Sequence, residues 1–132
     1  MINVILVDSH TLYREVVKLW IENEQIGTVM AEASNGFELI ELLKTNKPDL
    51  VIMDIEMPTM NGIQATKLAI SLHPELKILC LTRQGDRRKN LEMALEGASG
   101  LIQKNADKTE FEKAIRTIEQ GQRYYYNNLH LV

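Results

Sequence analysis

The stretch LVIMDIEMPTMNG, Leu50 to Gly62, joins four apolar residues to an aspartate, a proline and an Asn-Gly pair. An uninterrupted apolar run of this length predicts a β-strand that is buried on both faces. Pro58 and the Asn61-Gly62 pair predict that the chain turns after the strand has ended. The buried strand therefore ends on a carboxylate, Asp54, and a charge at that position requires a functional or structural reason.

Comparable apolar runs occupy residues 2–7, 27–33, 76–82 and 99–104, and segments with helical periodicity separate them. Regular alternation of such strands and helices predicts an α/β fold, built on a five-stranded parallel sheet with helices on both faces. We expect a doubly wound sheet with strand order 2-1-3-4-5. The run that begins at Gly27 is the most polar of the five, which predicts an edge strand.

Helical periodicity also predicts which side chains the helices bury. The predicted buried residues are Leu12, Val16 and Leu19 in the first helix, with Tyr13, Val17 and Trp20 beside them; Ile63, Leu68 and Leu72 in the third; and Phe111, Ala114, Ile115 and Ile118 in the fifth. Arg14 is predicted to face outward. The fourth helix is expected from about Asp86 to Glu96.

Composition limits the classes of protein that fit. The 132 residues are 45% hydrophobic and 25% charged, with a net charge of −3, which predicts one globular domain without general affinity for nucleic acid or anionic membrane. A single cysteine, Cys80, excludes an internal disulfide. The N-terminus has no signal-peptide pattern, so a cytoplasmic location is expected. We place the domain at residues 1–121 and a linker or C-terminal tail at 122–132.

Polar side chains stand at the ends of four predicted strands: Asp8, Asp54, Thr82 and Lys104. The carboxyl ends of parallel strands meet at one edge of the sheet, where ligands bind in this kind of fold. Two carboxylates about 5 Å apart repel each other by about 3 kcal/mol at an effective dielectric constant of 20, so a cation should accompany them. Mg²⁺ prefers such oxygen ligands, and the lysine and the hydroxyl suit a phosphoryl group. This set of residues therefore favours phosphoryl transfer to an aspartate.

Four stretches together resemble the receiver domain of bacterial two-component response regulators, of the NarL/FixJ type: VILVDSHTLYRE (4–15), PDLVIMDIEMPTMNG (48–62), ILCLT (78–82) and GASGLIQKNADKTEFEKAIRTIEQG (97–121). The resemblance implies the flavodoxin-like form of the fold. It also implies that Asp54 is the phospho-acceptor, that Asp8 and the backbone carbonyl of Glu56 bind Mg²⁺ together with Asp54, and that Thr82 and Lys104 bind the phosphoryl group.

The same resemblance implies the partners of the protein. The phosphoryl donor would be a histidine kinase or a small acyl phosphate. The output would be altered self-association, as in a homodimer, or transcription regulation through a C-terminal helix-turn-helix DNA-binding domain that lies outside this chain. Such a protein accepts a phosphoryl group and dephosphorylates itself, and is not a turnover enzyme.

Three positions depart from the usual receiver pattern. Ser9 stands where most receivers carry a second acid, so it would be a weak metal ligand, and serine also suits the N-cap of the first helix. Leu101 replaces an aromatic switch residue. Asn105 replaces a proline, which predicts a trans peptide bond after Lys104, because a non-proline cis bond costs about 2.5 to 4 kcal/mol.

Other interpretations of the sequence stay open. Asp8 could serve only the N-cap region of the first helix. The whole chain could be a phosphorylation-independent interaction module of the same fold, which Ser9 and Leu101 favour. A phosphatase with an aspartyl nucleophile is a third candidate. Phosphatases of that class carry a paired D-x-D on the first strand, whereas this chain has DIE on its third. His10 follows the site directly and is expected at the surface beside the pocket.

Overall fold

A computed structural model describes residues 1–83 and 87–126. Its elements in chain order are β1 (Ile2–Val7), α1 (Thr11–Asn23), β2 (Gly27–Ala33), α2 (Gly36–Leu43), β3 (Leu50–Asp54), α3 (Gly62–Leu72), β4 (Lys77–Thr82), α4 (Arg87–Leu95), β5 (Gly100–Gln103), α5 (Lys108–Glu119) and β6 (Tyr124–Tyr125). All strand pairs are parallel, in the order β2-β1-β3-β4-β5-β6. The predicted α/β fold and strand order are confirmed, and a short sixth strand is added beside β5.

The sheet separates two apolar cores. Along β1, Ile5 and Val7 belong to the core beneath α2, α3 and α4, whereas Val4 and Leu6 belong to the core beneath α1 and α5. Both faces of the strand are covered, so every position in its second half is apolar. The edge position predicted for β2 is confirmed.

The prediction for α1 is wrong for Leu12, Val16 and Leu19, which are exposed, whereas Val17, predicted beside them, is buried. The side chains that α1 buries are Val17 and Ile21, and Trp20 packs edge-on against Phe111 of α5 with ring centroids 5.6 Å apart. Apolar residues form two neighbouring stripes along α1, one with Leu12, Val16 and Leu19 and the other with Val17 and Ile21. Helical periodicity alone could not decide which stripe is buried. The packing of α1 against α5 buries the second stripe.

The buried face of α3 also differs from the prediction. Leu68 and Leu72 are exposed, whereas Ala65 and Ala69 are fully buried. A Cβ atom placed on Gly36 of α2 would lie 3.1 Å from Cβ of Ala65. The two helices therefore pack closely through small residues, and the leucines are left on the outer side of α3.

The loop that follows β3 is fixed at the start of α3. The Asn61 side chain accepts a hydrogen bond from the Gln64 N–H at 3.0 Å, and the Gln64 side chain accepts one from the Asn61 N–H at 3.3 Å, which completes a capping box. A Cβ atom on Gly62 would lie 2.7 Å from Cα of Ile55. Only glycine fits there, so the Asn-Gly pair holds α3 against the end of β3.

The chain after α5 returns to the sheet. Tyr124 and Tyr125 pair with β5, and the buried Tyr126 accepts a hydrogen bond from Nδ2 of Asn90 in α4 at 2.7 Å. The domain boundary after residue 121 and the linker or tail at 122–132 stay predictions. Residues 127–132 and the predicted start of the fourth helix at Asp86 lie outside the described residues.

Candidate functional site

The carboxyl edge of the sheet brings three of the predicted residues into contact. Nζ of Lys104 lies 2.9 Å from Oδ2 of Asp54 and 2.9 Å from Oδ2 of Asp8. Asp54 is 0% and Asp8 2% exposed, so these carboxylates interact with little screening by water. The lysine places one positive charge between two buried negative ones.

Local backbone turns orient both carboxylates. Oδ1 of Asp54 accepts a hydrogen bond from the Glu56 N–H at 2.9 Å, and Oδ1 of Asp8 accepts one from the His10 N–H at 2.7 Å. Each aspartate thus bonds the backbone two residues ahead, as in an Asx turn. Oδ2 of Asp8 is buried without a well-aligned hydrogen bond, although the lysine charge is nearby.

Lys104 is held from three sides. Its N–H donates to the Thr82 carbonyl at 2.8 Å, and its own carbonyl accepts the Tyr13 hydroxyl at 2.8 Å. The ammonium lies 4.7 Å from the centroid of the Tyr13 ring, within the range of a cation–π contact. Burial, with smaller contributions from the charges of Asp8 and Asp54, raises the pKa of Tyr13 well above its usual value. Among the described residues, the structure has no cis peptide bond, so the trans bond predicted after Lys104 is confirmed.

Thr82 ends β4 at the same edge, but its hydroxyl donates to the Ile102 carbonyl at 3.4 Å. The Glu56 carboxylate forms an ion pair with Lys89 at 2.6 Å. Ser9 is exposed, and the N-cap of α1 is His10, so the predicted capping role of Ser9 is wrong. Within residues 1–83 and 87–126, the Asp54 carboxylate forms no hydrogen bond with the side chain of Thr82, Glu56 or Ser9.

Sequence reasoning missed Tyr13 as a partner of Lys104 and missed Arg14 as a site residue. The expectation that His10 lies at the surface beside the pocket is confirmed, but its contact with Lys104 was not predicted. The Arg14 guanidinium donates to the Asp8 carbonyl and to the Glu32 carboxylate, the latter at 3.1 Å, so the prediction that it faces outward is wrong. Nδ1 of His10 lies 2.7 Å from Nζ of Lys104 and 3.2 Å from Oδ1 of Asp8. The one sequence signal that could have identified these residues as part of the site is that they follow Asp8 closely along the chain.

The site has donor atoms that fit a divalent cation. One ligand atom each from Asp8, His10 and Asp54 lies within 4.8 Å of the others. Two of the residues are buried carboxylates, which are hard oxygen ligands of the type that Mg²⁺ prefers. The buried Oδ2 of Asp8, which lacks a well-aligned donor, also fits a cation. A site that combines buried acids, a lysine and a strand-end hydroxyl can accept a phosphoryl group together with a cation.

Comparison with known proteins gives the family. Residues 4–116 match the sequence profile of the response regulator receiver domain. The chain belongs to this receiver family. Among related proteins, DegU of Brevibacillus brevis, a transcriptional regulatory protein, is 33% identical over 125 residues, which are 95% of this chain and 53% of that protein. The response regulator UvrY of Escherichia coli strain K12 is 34% identical over 129 residues, which are 98% of this chain and 59% of that protein.

Solved receiver structures resemble this receiver domain closely. A two-component response regulator of the LuxR family from Aurantimonas superposes with a TM-score of 0.91 at 31% identity, covering 98% of this chain and 92% of that one. The receiver domain of the response regulator NarL from Mycobacterium tuberculosis gives 0.85 at 27% identity, covering 92% and 98%. The receiver domain spans a little over half the length of DegU and UvrY. None of its described helices has the length and apolar character needed to cross a bilayer.

Proposed function

We propose that this receiver domain is a cytoplasmic phosphorylation switch in which Asp54 accepts a phosphoryl group from a histidine kinase or a small acyl phosphate. The observation that carries the proposal is the fully buried Asp54 carboxylate, with Nζ of Lys104 2.9 Å from Oδ2 and the Glu56 N–H on Oδ1. A buried aspartate at a strand end, beside a cation, suits a nucleophile better than a purely structural group.

The transfer is a displacement at phosphorus. A bond forms between a carboxylate oxygen of Asp54 and phosphorus, the P–N or P–O bond of the donor breaks, and the donor group leaves with the electron pair. Lys104 is placed to offset charge on the phosphoryl oxygens, and Thr82 can donate to one of them by turning from the Ile102 carbonyl. Mg²⁺, held by Asp8, Asp54 and the Glu56 carbonyl, would supply further charge neutralisation when bound. Ser9, which is neutral, would be at most a weak ligand.

Phosphorylation would change the contacts of Lys104. An added group of about −1.5 to −2 charges at Asp54 draws the ammonium away from Asp8 and from His10. A shift from 1:99 to 99:1 between two conformations needs about 5.5 kcal/mol of differential interaction, which a few charge-assisted hydrogen bonds can supply. We infer that the output is a homodimer or DNA binding through a C-terminal domain, with transcription regulation as the result.

The expected chemistry is stoichiometric. We infer that the acyl phosphate is lost by autodephosphorylation and that the protein is not a turnover enzyme. A second candidate is the phosphorylation-independent interaction module. The fully buried Leu101, at the position of the usual aromatic switch residue, and the neutral Ser9 favour it.

Intact-mass measurement after incubation with acetyl phosphate and Mg²⁺ tests the proposal. We expect one phosphoryl adduct on the wild type and on Asp49→Asn, and none on Asp54→Asn. Asp49 is a matched control because it precedes the same strand, at the opposite end, where its carboxylate accepts the Asn3 N–H at 2.7 Å. An unlabelled wild type, with both acetyl phosphate and a kinase as donor, would favour the interaction module instead.

A further inference from the structure

We propose that Nδ1 of His10 is a third ligand of the cation site, so that the site binds a divalent first-row transition-metal ion, such as Mn²⁺ or Ni²⁺, in preference to Mg²⁺. The inference deepens the proposed function and rests on the same pocket.

The atoms around the Lys104 ammonium show which lone pairs point into the pocket. The ammonium contacts Nδ1 of His10 at 2.7 Å, Oδ2 of Asp8 at 2.9 Å and Oδ2 of Asp54 at 2.9 Å. A protonated lysine carries only donors, so Nδ1 of His10 must be the acceptor in this contact. The imidazole lone pair therefore points to the same small volume as the two carboxylates.

The backbone holds His10 in this position. The His10 N–H donates to Oδ1 of Asp8 at 2.7 Å, and the His10 carbonyl accepts the Arg14 N–H at 3.1 Å in the first turn of α1. Nδ1 itself lies 3.2 Å from Oδ1 of Asp8. The backbone of His10 is thus anchored at the mouth of the pocket by the residue whose carboxylate the imidazole would join as a ligand.

The buried carboxylate of Asp8 also fits a bound cation. Its side chain is 3% exposed, and its buried Oδ2 lacks a well-aligned hydrogen-bond donor. An ion that took the place of the ammonium would coordinate this oxygen, while Lys104 turned toward a phosphoryl group on Asp54. The exposed side of His10 leaves a path for the ion from solvent, because its side chain is 58% exposed.

The donor set decides the class of ion. Mg²⁺ prefers oxygen ligands throughout, whereas imidazole suits the later first-row ions, whose affinity for nitrogen sites rises from Mn²⁺ toward Cu²⁺. Ser9 supplies no third carboxylate, which weakens the site toward Mg²⁺. Exchanging an acid for an imidazole among the ligands moves the preference toward transition metals.

Pulsed electron paramagnetic resonance of the full chain loaded with Mn²⁺ tests direct ligation. We expect echo modulation from a directly bound ¹⁴N nucleus in the wild type and its loss in His10→Gln. The chain has three histidines, and matched controls are His73→Gln and His130→Gln, which should keep the modulation. His73 lies away from the site, with Nε2 2.8 Å from the Leu43 carbonyl. A wild-type spectrum without nitrogen modulation overturns the inference.

Calorimetric titration with Ni²⁺ and with Mg²⁺ tests selectivity. His10→Gln should lose about tenfold or more in Ni²⁺ affinity and less than about twofold in Mg²⁺ affinity, because only the former gains from the imidazole. Ser9→Asp should raise Mg²⁺ affinity. Equal losses for both ions in His10→Gln would contradict a ligand role for the imidazole.

Labelling of the wild type with acetyl phosphate and Mg²⁺ separates this inference from the proposed function. A labelled wild type without nitrogen modulation would reject the His10 ligand and leave the phosphoacceptor function in place. Nitrogen modulation in a wild type that no donor labels would reject the phosphoacceptor function and leave the metal site.

Discussion

The two ends of the sheet differ in what they hold, and β3 joins them. At its amino end Asp49 is exposed and accepts one backbone N–H, whereas at its carboxyl end Asp54 is fully buried beside Lys104. A cavity of about 740 Å³ lies at the amino end, where Pro48 and Leu72 are among its lining residues. Converging charge, and not cavity volume, therefore marks the candidate site.

The direction of the helices explains this difference. In a parallel sheet each helix begins after the carboxyl end of a strand, as α1 does at Thr11 and α3 at Gly62. The N-terminus of a helix carries a partial positive charge, which stabilises nearby anions. The positive ends of the helices therefore lie at the same end of the sheet as the buried carboxylates of Asp8 and Asp54.

Loss of the central cation should have the largest effect. Lys104→Met leaves two buried carboxylates without their common partner, so we expect the free energy of unfolding to fall by about 3 kcal/mol. Phosphoryl labelling should be strongly reduced. Urea denaturation measures the first effect and intact mass the second. Lys47→Met, an exposed residue beside the amino-end cavity, is the control and should change stability by less than about 0.5 kcal/mol. Equal losses of unfolding free energy in Lys104→Met and Lys47→Met would contradict the proposed difference between the two ends of the sheet.

Added volume in the loop after β3 should have the next largest effect. In Gly62→Ala the new methyl group would meet Cα of Ile55 at 2.7 Å, so we expect a loss of about 1 to 3 kcal/mol and slower labelling of Asp54. Gly27→Ala is the matched change at the amino end, where the methyl group would meet the Ile2 carbonyl oxygen at 2.5 Å. It should lower stability without changing the labelling rate of the folded protein. A slower rate in both variants would show that the loop has no special link to the site.

The raised pKa of Tyr13 predicts a pH effect at the carboxyl end. Burial is its main cause, so the folded state keeps the phenol proton at a pH where the unfolded chain, with a pKa of about 10, releases it. Stability should therefore fall as pH rises above about 10. Tyr13→Phe should flatten this fall in urea denaturation between about pH 9 and pH 11. Tyr124→Phe is the comparison, because burial and the Glu110 hydrogen bond also raise the pKa of Tyr124, but by less than the pKa of Tyr13 is raised. A larger flattening in Tyr124→Phe would contradict the prediction.

Backbone strain should give the smallest effect. Thr59 follows Asp54 at the carboxyl end with φ of 67°, and Gln25 lies at the amino end with φ of 55°. A β-branched residue tolerates this left-handed region less well than an unbranched one, and asparagine tolerates it well. Thr59→Asn should raise the free energy of unfolding by about 0.5 to 1 kcal/mol, and Gln25→Asn by less. Thermal denaturation measures both changes. A larger gain for Gln25→Asn than for Thr59→Asn would contradict the prediction.

Much of the fold could be predicted because its signals are local. The apolar runs predicted the strands, and the buried face of α5, with Phe111 and Ile115, was identified from its period. The faces of α1 and α3 were wrong because each helix carries more than one apolar row. The choice between rows depends on the neighbouring helix, through the contact of Trp20 with Phe111 and the close packing of Ala65 near Gly36.

The sequence by itself determined which residues end the strands, and hence that Asp8, Asp54, Thr82 and Lys104 share one edge of a parallel sheet. Only the tertiary structure decided which contacts their side chains form. It directs the Thr82 hydroxyl to a backbone carbonyl and brings Nδ1 of His10 to the Lys104 ammonium. Strand ends follow from local alternation of residue types, whereas contacts between side chains 50 to 96 residues apart, as for Lys104 with Asp54 and Asp8, depend on strand register and rotamer.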